Sequence, residues 1–167
     1  MGALDEWRYC PRCGEAIEKR AGLALCPACG FRAYANSVPG VEAVIVDRAG
    51  RVLLGRRKFE PALGLWDFPG GFLDEAEDPL EGLRREVREE TGLEIDPAAF
   101  VGIYLEPYDG RTVLCLTWRA TPTGGTECAG DDLSELRWFG RDELPLDELA
   151  FAHYARALSD ALRDEHT

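Results

Sequence analysis

Three acids stand together where charge repulsion should keep them apart. Glu86, Glu89 and Glu90 lie in the run Arg85-Glu86-Val87-Arg88-Glu89-Glu90, and at about 100° per helical residue they share one flank. Arg84, Arg85 and Arg88 take the opposite flank. Leu80, Leu83 and Val87 form an apolar stripe, which must face a core. Glu86 has Glu89 at i+3 and Glu90 at i+4, and neither Glu86 nor Glu90 has a base at those spacings. Each such like-charged pair costs roughly 0.2–0.5 kcal/mol in water. A salt-bridged outer face is the ordinary alternative, and Glu81–Arg85 and Arg85–Glu89 fit it. That alternative interleaves the signs, whereas these acids cluster. A divalent cation among them would relieve the repulsion, and carboxylate oxygens suit Mg²⁺ or Mn²⁺.

The second set of reactive groups is a repeat. Cys10-Pro11-Arg12-Cys13-Gly14 and Cys26-Pro27-Ala28-Cys29-Gly30 share one Cys-Pro-x-Cys-Gly pattern, with twelve residues between Cys13 and Cys26. Two such turns can offer four thiolates tetrahedrally to Zn²⁺, and a site closed by sulfur on all sides is structural. Chance or redox pairs are the alternatives. A segment this short cannot bury enough apolar surface alone, so metal would supply its folding energy. Of the other cysteines, Cys115 reads as a small buried hydrophobe within a strand and Cys128 as a loop residue. Neither has an evident basic partner in the sequence.

The elements that position these groups follow from local signals. Asp78 can cap a helix, Pro79 suits its first position, Glu81 completes a capping-box-like arrangement, and Gly92 can end it left-handed. Ahead of it, Gly70-Gly71 makes a turn that lets backbone approach a ligand. Val41 to Val46 and Arg51 to Gly55 read as a hairpin about the turn Asp47 to Gly50. Phe100 to Pro107 and Thr112 to Ala120 alternate as paired strands about Asp109-Gly110, and Glu135 to Phe139 is a further short strand. Leu149 to Leu162 has helical spacing. Strands interrupted by one long helix and closed by another predict an α+β fold with a sheet between helices.

The whole chain narrows the function classes. At 167 residues it accommodates one well-buried domain and a small satellite. Its net charge of −12 argues against extended nucleic acid as a partner, which rests on basic contacts to phosphates. A small phosphorylated substrate is compatible, because bound cations invert the local field. The start MGALDEWRYC lacks a basic segment followed by an apolar run, and no stretch reaches the roughly 18 apolar residues of a membrane span. A cytoplasmic protein without membrane contact is expected.

The spacing of Gly71, Glu77, Arg85-Glu86-Val87, Glu89-Glu90 and Gly92-Leu93 resembles the signature of the Nudix hydrolases at every defined position. A chance match is on the order of 10⁻⁸ per start position at average residue usage. The cysteine segment resembles the zinc ribbons ahead of some Nudix domains, notably in NADH pyrophosphatases. The resemblance implies a zinc ribbon and joint over residues 1–38, then a Nudix α/β/α sandwich with a mixed sheet over residues 39–167. A homodimer is compatible with this organisation.

By the same resemblance, Glu86, Glu89, Glu90 and the Gly71 carbonyl hold the catalytic metal, and Glu77 pairs with Arg85. The general base is Glu90 or Glu127, with Asp131 and Asp132 behind them. The implied reaction is hydrolysis of a phosphoanhydride in a small nucleotide. Ile103 to Tyr108 lacks the Ser-Gln-Pro-Trp type stretch of NADH pyrophosphatases, while Pro107 is compatible with ADP-ribose hydrolases. A nucleoside triphosphate is the alternative substrate, and a nucleotide-sensing module whose ribbon binds RNA or protein is the alternative class. Arg57 could hold phosphate, and Phe68 and Tyr104 could stack on a base, although each also suits ordinary packing. His153 and His166 suggest no catalytic role.

Overall fold

A computed structural model describes Leu4–Arg163. The described chain divides into two compact units, one up to Val38 together with Pro107–Val113, the other from Pro39–Glu106 and from Leu114 onward. His166 lies outside the described residues.

The smaller unit holds a three-stranded antiparallel sheet of β1 (Glu18–Arg20), β2 (Leu23–Leu25) and β3 (Arg32–Tyr34), in that order. Between Leu4 and Val38 the buried hydrophobic residues are Leu4, Cys10, Ala24 and Cys26. So little apolar burial does not hold a fold by itself.

The second sheet is mixed and lies mostly in the larger unit; it is formed by β4 (Val38–Val46), β5 (Val52–Arg57), β8 (Leu93–Tyr108), β9 (Arg111–Gly125) and β10 (Leu133–Phe139), ordered β10-β5-β4-β9-β8. Two short strands, β6 (Trp66–Asp67) and β7 (Gly70–Phe72), pair with β5 and β4. The hairpin between β4 and β5 forms where alternation predicts it, with Ile45 opposite Leu53 and Val46 opposite Val52. Asp109 and Gly110, at φ 45° and 72°, make the turn between β8 and β9, the left-handed geometry that a two-residue hairpin loop requires.

Helix α1 (Pro79–Thr91) starts and stops at the predicted caps. Asp78 Oδ1 accepts from the Leu80 and Glu81 N–H groups at 2.9 and 3.4 Å, and Gly92 adopts φ 69°. The capping-box expectation needs correction: the Glu81 carboxylate accepts from Arg84 Nη1 at 2.7 Å, its exposed neighbour one turn on. Leu83 and Val87 are fully buried against Val41, Ala43, Ile45 and Leu53, so α1 lies on the face of β4 that carries odd-numbered residues. Truncating Leu83 to Ala would cost about 2–5 kcal/mol.

The last helix is shorter than its periodicity predicts. Helix α2 runs Tyr154–Ala161, and Leu149 instead bridges to Trp66 while the Ala150 N–H donates to the Trp66 carbonyl at 2.8 Å. The edge of β6 thus satisfies backbone that would otherwise have continued a helix. None of the described helices is long and apolar enough to cross a membrane.

Candidate active site and thiol cluster

The predicted acids meet at the glycine turn before α1. The Gly70 N–H donates to Glu90 Oε2 at 2.8 Å. A Cβ on Gly71 would lie 2.5 Å from the Glu86 carboxyl carbon, so any side chain there would evict the carboxylate. A Cβ on Gly70 would meet the Val41 carbonyl oxygen at 2.2 Å. Close approach of backbone therefore dictates Gly70, whereas at Gly71 it is the Glu86 carboxylate that would have to shift.

The three acids are graded in burial: Glu89 exposed, Glu86 half-buried, Glu90 buried. Burial, then the negative charges of Asp67, Glu86 and Asp132, push Glu90 up to about 9 against the one N–H from Gly70. Glu86 is raised too, by burial first and then by Glu89 and Asp131, with Arg85 opposing. This end of the protein therefore holds more carboxylates than its own cations neutralise.

Arg85 organises what neutralisation there is. Its Nε and Nη2 each reach a different Glu77 oxygen at 2.8 Å, and Nη2 also donates to the Phe72 carbonyl at 3.2 Å. Its Nη1 donates to Glu86 Oε1 at 2.7 Å and to Glu89 Oε2 at 3.3 Å. Spacing rules for i+3 and i+4 pairs missed the contact with Glu86, because a long guanidinium can reach its adjacent residue around the helix. The Arg85 fork, aided by the Asp74 N–H, lowers Glu77 to about 2. A Cβ on Gly82 would come within 2.9 Å of that carboxylate, so the helix leaves room for it.

The segment after β9 closes the C-terminal end of α1. The N–H groups of Thr126, Cys128 and Gly130 donate to the carbonyls of Gly92, Thr91 and Glu90 at 3.2, 2.9 and 2.9 Å, satisfying oxygens a helix end leaves open. Glu127 sits in this segment with its carboxylate accepting from Trp138 Nε1 at 2.7 Å. Asp131 and Asp132 follow it and bear electrostatically on Glu86 and Glu90.

The three side chains considered for substrate contact are engaged within the protein. Arg57 is buried, paired with Asp67, and donates to the Pro61 carbonyl at 2.6 Å. Phe68 stacks on Tyr154 with ring centroids 3.9 Å apart. Tyr104 donates to Asp160 at 2.8 Å and stacks on His153.

In the smaller unit the two cysteine turns are copies of one another. The Cys10 N–H donates to Glu15 O and the Gly14 N–H to Cys10 O; Cys26 does the same with Phe31 O and Gly30 N–H. Gly14 and Gly30 take φ 78° and 73°, the left-handed conformation that folds each chain back over its sulfurs. The four Sγ atoms lie within 4.8 Å of one another, with Cys10–Cys29 and Cys13–Cys26 both at 3.6 Å, and all are free thiols. Burial opposes ionising Cys10, yet the Arg12 and Cys13 N–H groups and neighbouring thiols bring it down to about 7. Cys13 is pushed the other way, to about 12, because the adjoining sulfurs outweigh the help of the Glu15 N–H. The cluster's donor set and closeness fit tetrahedral Zn²⁺.

Sequence reasoning missed one group of residues. His153 precedes α2 with its side chain buried between Glu42 on β4 and Glu106 on β8, at 3.0 and 2.9 Å. Cys115 on β9 brings its thiol within 4.8 Å of the same ring, so a basic group does stand beside it. These residues are far apart in the chain, and no local pattern announces them.

The NUDIX domain family matches residues 36–160. The NAD-capped RNA hydrolase NudC of Stutzerimonas stutzeri is 32% identical over 146 residues, covering 85% of this chain and 51% of that protein. The chain thus spans about half the length of the NudC relatives it matches. The ADP-ribose pyrophosphatase of Methanocaldococcus jannaschii is 33% identical over 135 residues, covering 80% of this chain and 78% of its own. A crystal structure of a NUDIX hydrolase from Nitrosomonas europaea shares the fold, with TM-score 0.75 at 24% identity over 91% of this chain and 88% of its own. Together with an acidic helix that closes on a glycine turn, these likenesses show that the chain belongs to the Nudix hydrolase family.

Proposed function

We propose that this Nudix hydrolase cleaves the pyrophosphate linkage of a nucleoside diphosphate joined to another group, with ADP-ribose and NADH as the leading types. The observation that carries the reading is the Glu86 carboxylate seated against Gly71, where a Cβ would collide, beside Glu90 tied to Gly70. A turn stripped of side chains and facing several acids needs a shared counter-ion. Glu86, Glu89, Glu90 and the Gly71 carbonyl would hold Mg²⁺ or Mn²⁺. When bound, such an ion neutralises phosphate oxygens and lowers the pKa of water.

The chain's own residues do the rest. Arg85, fixed by Glu77, holds Glu86 and Glu89 in register and keeps the turn against the helix through Phe72. Glu90 is the first choice of base, since the Gly70 N–H fixes its carboxylate at the glycine turn beside the other acids. Glu127 is held through one carboxylate oxygen by Trp138, and Asp131 and Asp132 bear on the acids. Arg57, Phe68 and Tyr104 serve as framework, because their contacts lie within the protein. In the smaller unit, Cys10, Cys13, Cys26 and Cys29 would hold structural Zn²⁺.

The relatives favour a substrate with an adenine dinucleotide or ADP-ribose character, by their names. The test is a panel of ADP-ribose, NADH, nucleotide sugars, CoA, dinucleoside polyphosphates and nucleoside triphosphates with Mg²⁺ or Mn²⁺. Release of a nucleoside monophosphate from ADP-ribose or NADH is expected. Pyrophosphate release from a triphosphate alone would replace this reading with the triphosphate one, and no turnover of any member would refute both.

A further inference from the structure

The sheet face away from α1 carries a second convergence of metal-ligating groups. Side chains alternate along β4, so Glu42 points away from the face where Val41 and Ala43 pack against α1. On that far side, ligand atoms of Glu42, Cys115 and His153 all lie within 4.8 Å of one another. All are removed from water: Glu42 is 6% exposed, Cys115 7%, and the His153 side chain 7%.

We propose that Glu42, Cys115 and His153 Nε2 form a transition-metal site suited to Zn²⁺, separate from the acidic helix and from the four-cysteine cluster. Glu106 is the positioning residue: its Oε2 lies 2.9 Å from Nδ1, so it holds that nitrogen protonated and leaves Nε2 for the metal. Nε2 faces the Glu42 oxygens at 3.0 and 3.2 Å. This is the carboxylate–histidine–metal relay by which proteins orient an imidazole ligand. Glu42 is steadied in turn, because Thr117 Oγ1 donates to its Oε1 at 2.5 Å. A ligating carboxylate is normally braced in this way.

A metal-free network would consist of an imidazolium between Glu42 and Glu106. That arrangement has no use for a thiol, yet the Cys115 sulfur lies within 4.8 Å of both the ring and the Glu42 carboxylate. Thiolate, imidazole and carboxylate together form a borderline-soft donor set that suits Zn²⁺ and not Mg²⁺. On binding, the thiol proton and one ring proton leave to solvent, and Zn²⁺ takes their place. Three protein ligands leave a fourth position for water. The ion would pin β4, β9 and the entry to α2.

The test is zinc per chain, by elemental mass spectrometry, on desalted full-length protein grown with added zinc. Cys115→Ser and His153→Gln should each carry about one equivalent less than wild type, as expected for loss of a three-ligand site. The difference is read whether or not the four-cysteine cluster is full. Equal zinc in wild type and both variants overturns the proposal. If the variants fail to fold, anomalous diffraction at the zinc edge from wild-type crystals decides. A peak among the three side chains supports the site, and no peak leaves an ion-paired network only and overturns it.

Discussion

The four-cysteine unit and the acidic helix both gather groups that repel one another when ionised, but the two settings differ. Between Leu4 and Val38 there is almost no apolar core, and two of the four cysteines, Cys10 and Cys26, are themselves among the buried residues. A metal there would be the fold's main tie. The acidic helix instead rests on a full core, with Leu83 and Val87 completely buried beneath it. Its acids can therefore be a burden that packing carries, kept for chemistry. Removing metal from the first should unfold it, while removing charge from the second should leave it folded and inert.

The largest effect expected is on turnover. Glu90→Gln should lower it by on the order of 10³-fold or more, with a melting temperature equal to or above wild type. The stability half follows from Glu90 being a buried acid surrounded by others. A variant that loses activity only because it melts would break the contrast between the two regions.

Next is chelation. Stripping zinc should expose the backbone amides of residues 10–34 to hydrogen exchange while those of α1 stay protected. Equal protection before and after chelation would mean the thiols are not the tie. Gly71→Ala is expected to cost roughly 10²-fold in turnover by displacing the Glu86 carboxylate, a misplacement effect with little change in folding.

The smallest effect concerns pH. Because folding lowers Glu77 to about 2, its pairing with Arg85 stabilises the protein fully above the usual carboxylate range. That contribution disappears as pH falls through the lowered value. The melting-temperature gap between wild type and Glu77→Gln should thus be constant near neutrality and close between about pH 4.5 and 2. A gap that widens on acidification would contradict the assigned direction.

The parts legible in the sequence were those fixed by neighbours in the chain. Asp78, Pro79 and Gly92 bracket α1 by local hydrogen bonding, and the two cysteine turns repeat within a few residues. What spacing could not show was long-range. The edge of β6 captures Leu149 and Ala150 and shortens α2, a competition no helical period records. His153 looks like an ordinary helix residue until the sheet brings Glu42, Glu106 and Cys115 to it. Tyr104, Phe68 and Arg57 have the right chemistry for a ligand, and only tertiary packing reveals that protein groups occupy them.

The most direct measurement is a Mn²⁺ titration followed by electron paramagnetic resonance, comparing wild type with Glu86→Gln/Glu89→Gln. The account predicts that wild type binds Mn²⁺ and that the double variant, folded and melting normally, binds it at least about tenfold more weakly. Unchanged Mn²⁺ affinity in the double variant would contradict the claim that these acids exist to hold a divalent ion.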